Sequence, residues 1–190
     1  MNKHIKRILI ISFVLIFIIV AIILTYFITK HFTNKAIISK VTAIYSDDNI
    51  QDRLNNEENE LLLQIDGETV LGVIKIDKIE FEGLVYEGTS LSTLAKGVGH
   101  FENSPYINGN VCLAAHNTNK FWAKLHTIQN GDKITYTSFL GTKEYAVDKV
   151  STITETDWSS LENTDENILT LITCIKGQKD KRLCVQAKEI

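Results

Sequence analysis

Residues 8–28 read ILIISFVLIFIIVAIILTYFI, 21 positions without a charge. In helical form, at about 1.5 Å per residue, such a run crosses a hydrocarbon layer of about 30 Å. A helix apolar on every side for this length would need a far larger protein to bury it, so the pattern predicts a transmembrane helix rather than a core helix. A cleaved signal peptide is the rival reading. The run exceeds the apolar region of about 7 to 15 residues typical of such peptides, and TYFITKHFTNK offers no clear small-x-small cleavage site, so a retained single-pass anchor is expected. Residues 30–45 read as an extension of that anchor. SDDNIQDRLNNEENELLLQ follows, strongly polar with a weak helical stripe of Ile50, Leu54 and Leu61, and reads as a stalk rather than as a lid over a site.

From about Leu71 the pattern changes to short runs rich in Val, Ile, Thr and Tyr: LGVIKI, IEFEGLVY, NVCLAAH, DKITYTS, KEYAVDKVSTI, NILTLITC and RLCVQAKEI. Turn signals built from Gly, Asn and Asp separate them, such as NGN before Val111 and NGD before Lys133. Two pieces, SLSTLAKG and KFWAKLHTI, look helical. About 120 residues of closely spaced strands predict an all-β domain, a small closed barrel or a sandwich. The resulting division is an inner tail at 1–7, an anchor at 8–28, a stalk or linker at 29–64 and a β-domain at 65–190.

Charge orients the anchor and narrows the partners. Lys3, Lys6 and Arg7 precede the span and Lys30, Lys35 and Lys40 follow it. The tighter cluster and the free amino terminus favour the amino end inside, with the β-domain outside the cytoplasm. All 23 acidic residues lie beyond the span, against 17 Lys and Arg there, giving the outer part a charge of −6. Nucleic acid is therefore not an expected partner. Three Cys is an odd number in an exported domain, so at least one thiol stays free or pairs between chains.

Three residues stand out chemically. Cys174 ends the apolar run ILTLITC, where a thiol could be presented at a barrel rim. His116 ends the comparable run VCLAAH and could exchange protons with that thiol. Arg182 is the one Arg of the β-domain in a chain with 17 Lys and three Arg. That bias suggests a task for a planar, permanently charged fork, such as holding a carbonyl oxygen or developing oxyanion. Each has a plainer reading: a buried small hydrophobe for Cys174, a structural hydrogen-bonded group for His116, and a surface ion pair for Arg182. On residue type alone His100 and His126 stand close behind His116.

TLITC with a nearby downstream Arg resembles the sortase signature Thr-Leu-x-Thr-Cys…Arg, and AAHNT is similar to the upstream His motif of that family. The order and the spacing match as well, with 58 residues from His116 to Cys174 and eight more to Arg182. The resemblance covers residues 71–190 and suits a membrane anchor. It implies a closed eight-stranded β-barrel and a cysteine transpeptidase that attaches proteins to the cell wall of Gram-positive bacteria. On that reading Cys174 attacks the Thr-Gly bond of an LPxTG-like sorting signal to form a thioacyl enzyme. His116 protonates the leaving amine and deprotonates the incoming one, Arg182 steadies the oxyanion, and the acceptor is an amine on a peptidoglycan precursor.

Thr173 would help to position substrate, and TETDWSSLENTDEN, residues 154–167, falls where sortases carry a substrate-gripping loop, so Trp158 could pack on the signal. GVGHFENS resembles the Gly-x-Gly-His segment of class D and some class C enzymes, which makes His100 a further substrate-side candidate. Class A also remains open; the chain is too short for the long helical insertion of class B. With Pro105 the only Pro, the sequence carries no Asp-Pro-aromatic lid motif, so attachment to the wall is favoured over pilin polymerisation. The acids Asp157, Glu162, Asp165 and Glu166 are of a kind that holds Ca²⁺ in some class A enzymes, but they read first as a solvated loop, and no metal or other cofactor is expected. Other cysteine enzymes of the wall differ around the thiol: a Ser-His-Gly-Cys motif is absent, and a papain-like order would set an early helical Cys before its His. The remaining alternative is a non-catalytic β-domain that binds surface partners and has no reactive thiol.

Overall fold

The computed structural model describes residues 3–46, 62–65 and 67–190. Of the expected stalk, residues 47–61, with Ile50, Leu54 and Leu61, lie outside the described residues. The chain divides into two compact units, residues 1–39 and 40–190.

Helix α1, Lys3–Tyr45, is continuous over 43 residues. From Ile10 onward it is long and apolar enough to cross a membrane. Three threonine hydroxyls in and just beyond the apolar stretch are satisfied within the helix: Thr25, Thr29 and Thr33 donate to the carbonyls of Ala21, Thr25 and Thr29. A lipid environment, which offers polar groups no partner, would require such bonds.

The second unit is built on nine strands: β1 (Leu63–Ile65), β2 (Glu68–Ile76), β3 (Phe81–Glu87), β4 (Val98–His100), β5 (Asn110–Ala114), β6 (Lys133–Ser138), β7 (Gly141–Thr154), β8 (Ile168–Ile175) and β9 (Gln178–Glu189). Their order is β1-β2-β3-β4-β5-β8-β9-β7-β6, and β6 returns to β2 through pairs from Gly72↔Ser138 to Ile76↔Ile134. Strands β2–β9 thus form a closed eight-stranded barrel, which leaves no open edge among them, and β1 is a short addition beside β2. The β3–β4 and β5–β8 pairs are parallel. Leu71, Ile74, Leu113, Ile134, Leu169 and Leu171 are among the side chains fully buried in the core.

β5 is buried along its whole length and β8 from Leu169 to Thr173. Burial on both faces explains why these two read as nearly unbroken apolar runs instead of alternating ones. SLSTLAKG forms a short helix, α2 (Leu91–Lys96), capped by Ser90, whose hydroxyl accepts from the Thr93 N–H. KFWAKLHTI does not form the expected helix. It winds through turns anchored on the His116 carbonyl, which accepts from Thr118 N and Trp122 N, and then a 3-10 turn at Leu125–Thr127. Tertiary burial of Trp122 and Leu125 decides that local structure. At and just before β4 the GVGH glycines are dictated by close approach. A Cβ on Gly97 would lie 2.6 Å from the Tyr86 ring and 2.7 Å from the Leu84 carbonyl, and one on Gly99 would strike the Gly88 carbonyl oxygen.

The last turn of α1 lies in the second unit, where Val41 and Tyr45 are buried. The Tyr45 hydroxyl donates to the Val70 carbonyl at 2.8 Å and accepts from Leu63 N at 3.2 Å, so it joins the helix end to both β1 and β2. Its ring meets Phe139 edge-on at 6.5 Å. Tyr45→Phe keeps the ring but leaves two backbone groups unpaired, at a cost of about 1–3 kcal/mol. Thermal unfolding of the full chain in detergent should show a lower midpoint than the parent protein, and an unchanged midpoint would mean that these groups find other partners.

Candidate active site

The site rests on the β5–β8 ladder. Asn110 pairs with Ile168, Cys112 with Thr170 and Ala114 with Ile172, a constant offset of 58 residues. His116 and Cys174 are separated by that same 58, so the register that pairs the strands also carries both residues off the same end. Three hydrogen bonds hold the ends together. Ala115 N donates to the Ile172 carbonyl at 3.3 Å, Thr173 Oγ1 to the Ala115 carbonyl at 2.7 Å, and Asn117 Nδ2 to the Cys174 carbonyl at 2.6 Å. His116 is bracketed by these links. Half-buried, it has no ring hydrogen bond among the described residues, so its nitrogens remain available.

On the other side of β8, Cys174 is the direct partner of Arg182 on β9, and the register breaks immediately beyond this pair. Residues 179–181 bulge out, and the guanidinium folds onto them, Nη1 donating to the carbonyls of Lys179 at 2.8 Å and Lys181 at 2.9 Å. Nη2 pairs with the Glu155 carboxylate at 2.9 Å. Asp180, the acid nearest in sequence, instead offers its backbone carbonyl to Glu155 N.

Alternation along a strand puts Cys112, Thr170, Ile172, Cys174, Arg182 and Cys184 on one sheet face. The segment between β7 and β8 covers most of that face. Asn110 Nδ2 donates to the carbonyls of Ser160 and Glu162, Thr170 Oγ1 donates to Asn110 Oδ1, and Gly109 N donates to Asn167 Oδ1. Under this cover Cys112 and Cys184 are buried, and Cys174, beyond it, is exposed. Burial pushes the Cys112 thiol up to about 12 and raises that of Cys184, so neither is a ready thiolate. They cannot bridge: with β8 between their strands they are about 10 Å apart laterally, against a disulfide limit of about 7 Å between Cα atoms.

The remaining sequence candidates fall in different places. Thr173 is buried and serves the Ala115 link. Trp158, in the covering loop, is 61% exposed and meets Phe101 edge-on at 6.3 Å. His100 is fully buried, Nδ1 facing Glu87 Oε1 at 3.1 Å and Nε2 facing Ser104 Oγ at 2.9 Å, with Tyr106 stacked on its ring. A ring so enclosed offers substrate no surface; it pins the loop after β4. His126 is held by the Ala123 carbonyl. Asp157 binds the Ser159 N–H and hydroxyl, which hold its carboxyl below the usual range, and Glu166 pairs with Lys188. Among the described residues no group of three or more His, Cys, Asp or Glu is placed to hold a metal ion. Sequence reasoning passed over Asn117 and Glu155, which touch the backbone of Cys174 and the guanidinium of Arg182. Asn117 was within reach as the residue after the candidate His; Glu155 carried no local signal.

Comparison with known proteins assigns the family. Residues 74–190 match the sortase domain model, and the chain belongs to the sortase family. It is 30% identical over 129 residues to sortase A of Listeria monocytogenes, covering 66% of this chain and 58% of that protein. Over 127 residues it is 29% identical to sortase D of Bacillus subtilis, covering 63% of each. The chain thus spans about six-tenths of the length of the curated relatives it matches. Among solved structures, a sortase D transpeptidase of Clostridium perfringens superposes with a TM-score of 0.66 at 25% identity, over 83% of this chain and 98% of that one. A pilus-related sortase C of group B Streptococcus gives 0.61 at 26%, over 67% and 70%.

The difference in cover gives a direct test. Brief alkylation of the folded chain, followed by peptide mass spectrometry, should modify Cys174 and spare Cys112 and Cys184 until denaturant is added. Comparable labelling of all three under native conditions would contradict the burial described.

Proposed function

We propose that the protein is a membrane-anchored cysteine transpeptidase that cleaves an LPxTG-like sorting signal between Thr and Gly and transfers the acyl part to an amine of a peptidoglycan precursor. The observation that carries this reading is the parallel β5–β8 register, with His116 and Cys174 at one rim and Arg182 opposite Cys174.

In the first half-reaction the Cys174 thiolate adds to the Thr carbonyl carbon, and the electron pair moves onto oxygen. Arg182 stabilises that oxyanion. Collapse breaks the C–N bond, imidazolium His116 gives its proton to the departing glycine amine, and a thioester remains on Cys174. In the second half the acceptor amine adds to the thioester and loses a proton to neutral His116, and the thiolate leaves. The amide product and the original thiolate–imidazolium pair result. Exposure of Cys174 supports this, because a macromolecular signal and a second large substrate must both reach the sulfur. Half-burial of His116 supports proton handling shielded from bulk water.

Anchoring by α1, amino end inside and barrel outside, would hold the site where wall precursors and exported signals meet. The divisions at 1–7, 8–28, 29–64 and 65–190 are part of this reading, as are Thr173 and Trp158 on the substrate side; His100 is not. Class D or class A activity on the wall is preferred to pilin polymerisation, since the sequence has no lid motif of the pilin-joining type.

Incubating the full chain in detergent with quenched LPxTG-like peptides and an amine acceptor tests the proposal. Cys174→Ala should abolish cleavage with the fold intact; retained cleavage would move the nucleophile elsewhere. Arg182→Lys keeps the charge but cannot present two donors in a fixed fork. It should lower kcat and kcat/KM together by about 10² to 10³ fold, the size of one lost oxyanion donor. Near-normal kcat in that variant would remove Arg182 from the chemistry.

A further inference from the structure

Arg182 does not stand free at the rim. Its guanidinium has five N–H donors, of which three are engaged among the described residues: two by the bulge carbonyls of Lys179 and Lys181 and one by Glu155. Two remain, the number that a bidentate grip on an oxyanion needs. The residue that completes this arrangement is itself held at its backbone, because Glu155 N donates to the Asp180 carbonyl at 2.9 Å, in the middle of the same bulge. Glu155 directly follows β7, whose final pairs are Ile153↔Arg182 and Thr154↔Lys181. The acid and the bulge are therefore braced against each other by backbone as well as by charge.

We infer that Glu155 is a positioning residue for Arg182, orienting the guanidinium so that its two remaining donors face the reacting carbonyl at Cys174. This rests on the transpeptidase reading for its catalytic consequence, but the restraint itself does not. Arg has many rotamers and the Arg182 side chain is 25% exposed, so without a partner it would sample orientations in which the fork points away. A partially exposed ion pair contributes little to folding, so the loss of Glu155 should appear in catalysis and side-chain order rather than in stability. Glu155 also starts the loop that covers the β8 face, which links the setting of the guanidinium to the seating of that loop.

The test uses the full chain in detergent, with ¹⁵N-labelled arginine. The chain has three Arg, and Arg182→Lys assigns the signal of Arg182. In the parent protein the Arg182 Nη groups should show resolved, slowly rotating resonances; in Glu155→Gln they should collapse toward the averaged signal of a mobile guanidinium. Peptide turnover by Glu155→Gln should fall about tenfold in kcat, the scale of one charge-assisted hydrogen bond, with KM within about twofold and the melting temperature unchanged. Adding Glu155→Gln to Arg182→Lys should cost little more, because the two act through one group. Identical Arg182 signals in parent and variant, unchanged or raised kcat, or an equal loss in the Arg182→Lys background would overturn the inference. Absence of peptide turnover in the parent protein would instead count against the transpeptidase reading, with the resonances still deciding whether Glu155 restrains Arg182.

Discussion

The parallel pairing of β5 with β8 is the constraint on which the rest of the site depends. Parallel neighbours point the same way, so their C-terminal ends emerge at the same rim, whereas an antiparallel pair would send them to opposite ends. The cost is a long crossover, and here the chain between the two strands supplies β6, β7 and the covering loop. That crossover is not slack. β6 closes the barrel on β2, β7 supports β9, and the loop roofs the outer face of β5 and β8. One pairing thus sets the spacing of His116 and Cys174 and brings in the elements that hold Arg182.

Much of this was legible in the sequence because it is written in local patterns. The seven apolar runs correspond to seven of the nine strands, and the motif residues Cys174, His116 and Arg182 come together at one rim. What escaped has specific causes. β4 is three residues long and contains a glycine, too short for an alternation of polar and apolar positions, and β1 has three residues next to a polar stretch. The KFWAKLHTI segment carries a helical spacing of large residues, yet Trp122 and Leu125 are drawn into the barrel unit by turns, and burial outweighs propensity. The burial of His100 was not legible, because a buried histidine with two partners and one facing substrate look alike in a string of letters.

Polar contacts between distant segments were the least legible. Asn117 reaches Cys174 across 57 residues and Glu155 reaches Arg182 across 27, and both depend on where loops leave their strands. Neither side chain belongs to a pattern with a period, so only the register reveals them. Tyr45 is a similar case: one hydroxyl on a helix end satisfies backbone groups on two strands.

The three cysteines show how one sheet face can carry opposite chemistry. Cys112, Cys184 and Cys174 point the same way, and they lie on three neighbouring strands of one sheet. The first two sit beneath the loop after β7, where loss of water destabilises a thiolate and burial keeps them protonated. The third lies past its edge, where the β8–β9 register breaks and solvent reaches the sulfur. The strand sequence alone does not distinguish them; the extent of the roof does. Asn110 and Thr170, which fasten that roof from below, therefore determine which thiol is available to react, although neither touches Cys174 in the hydrogen bonds described.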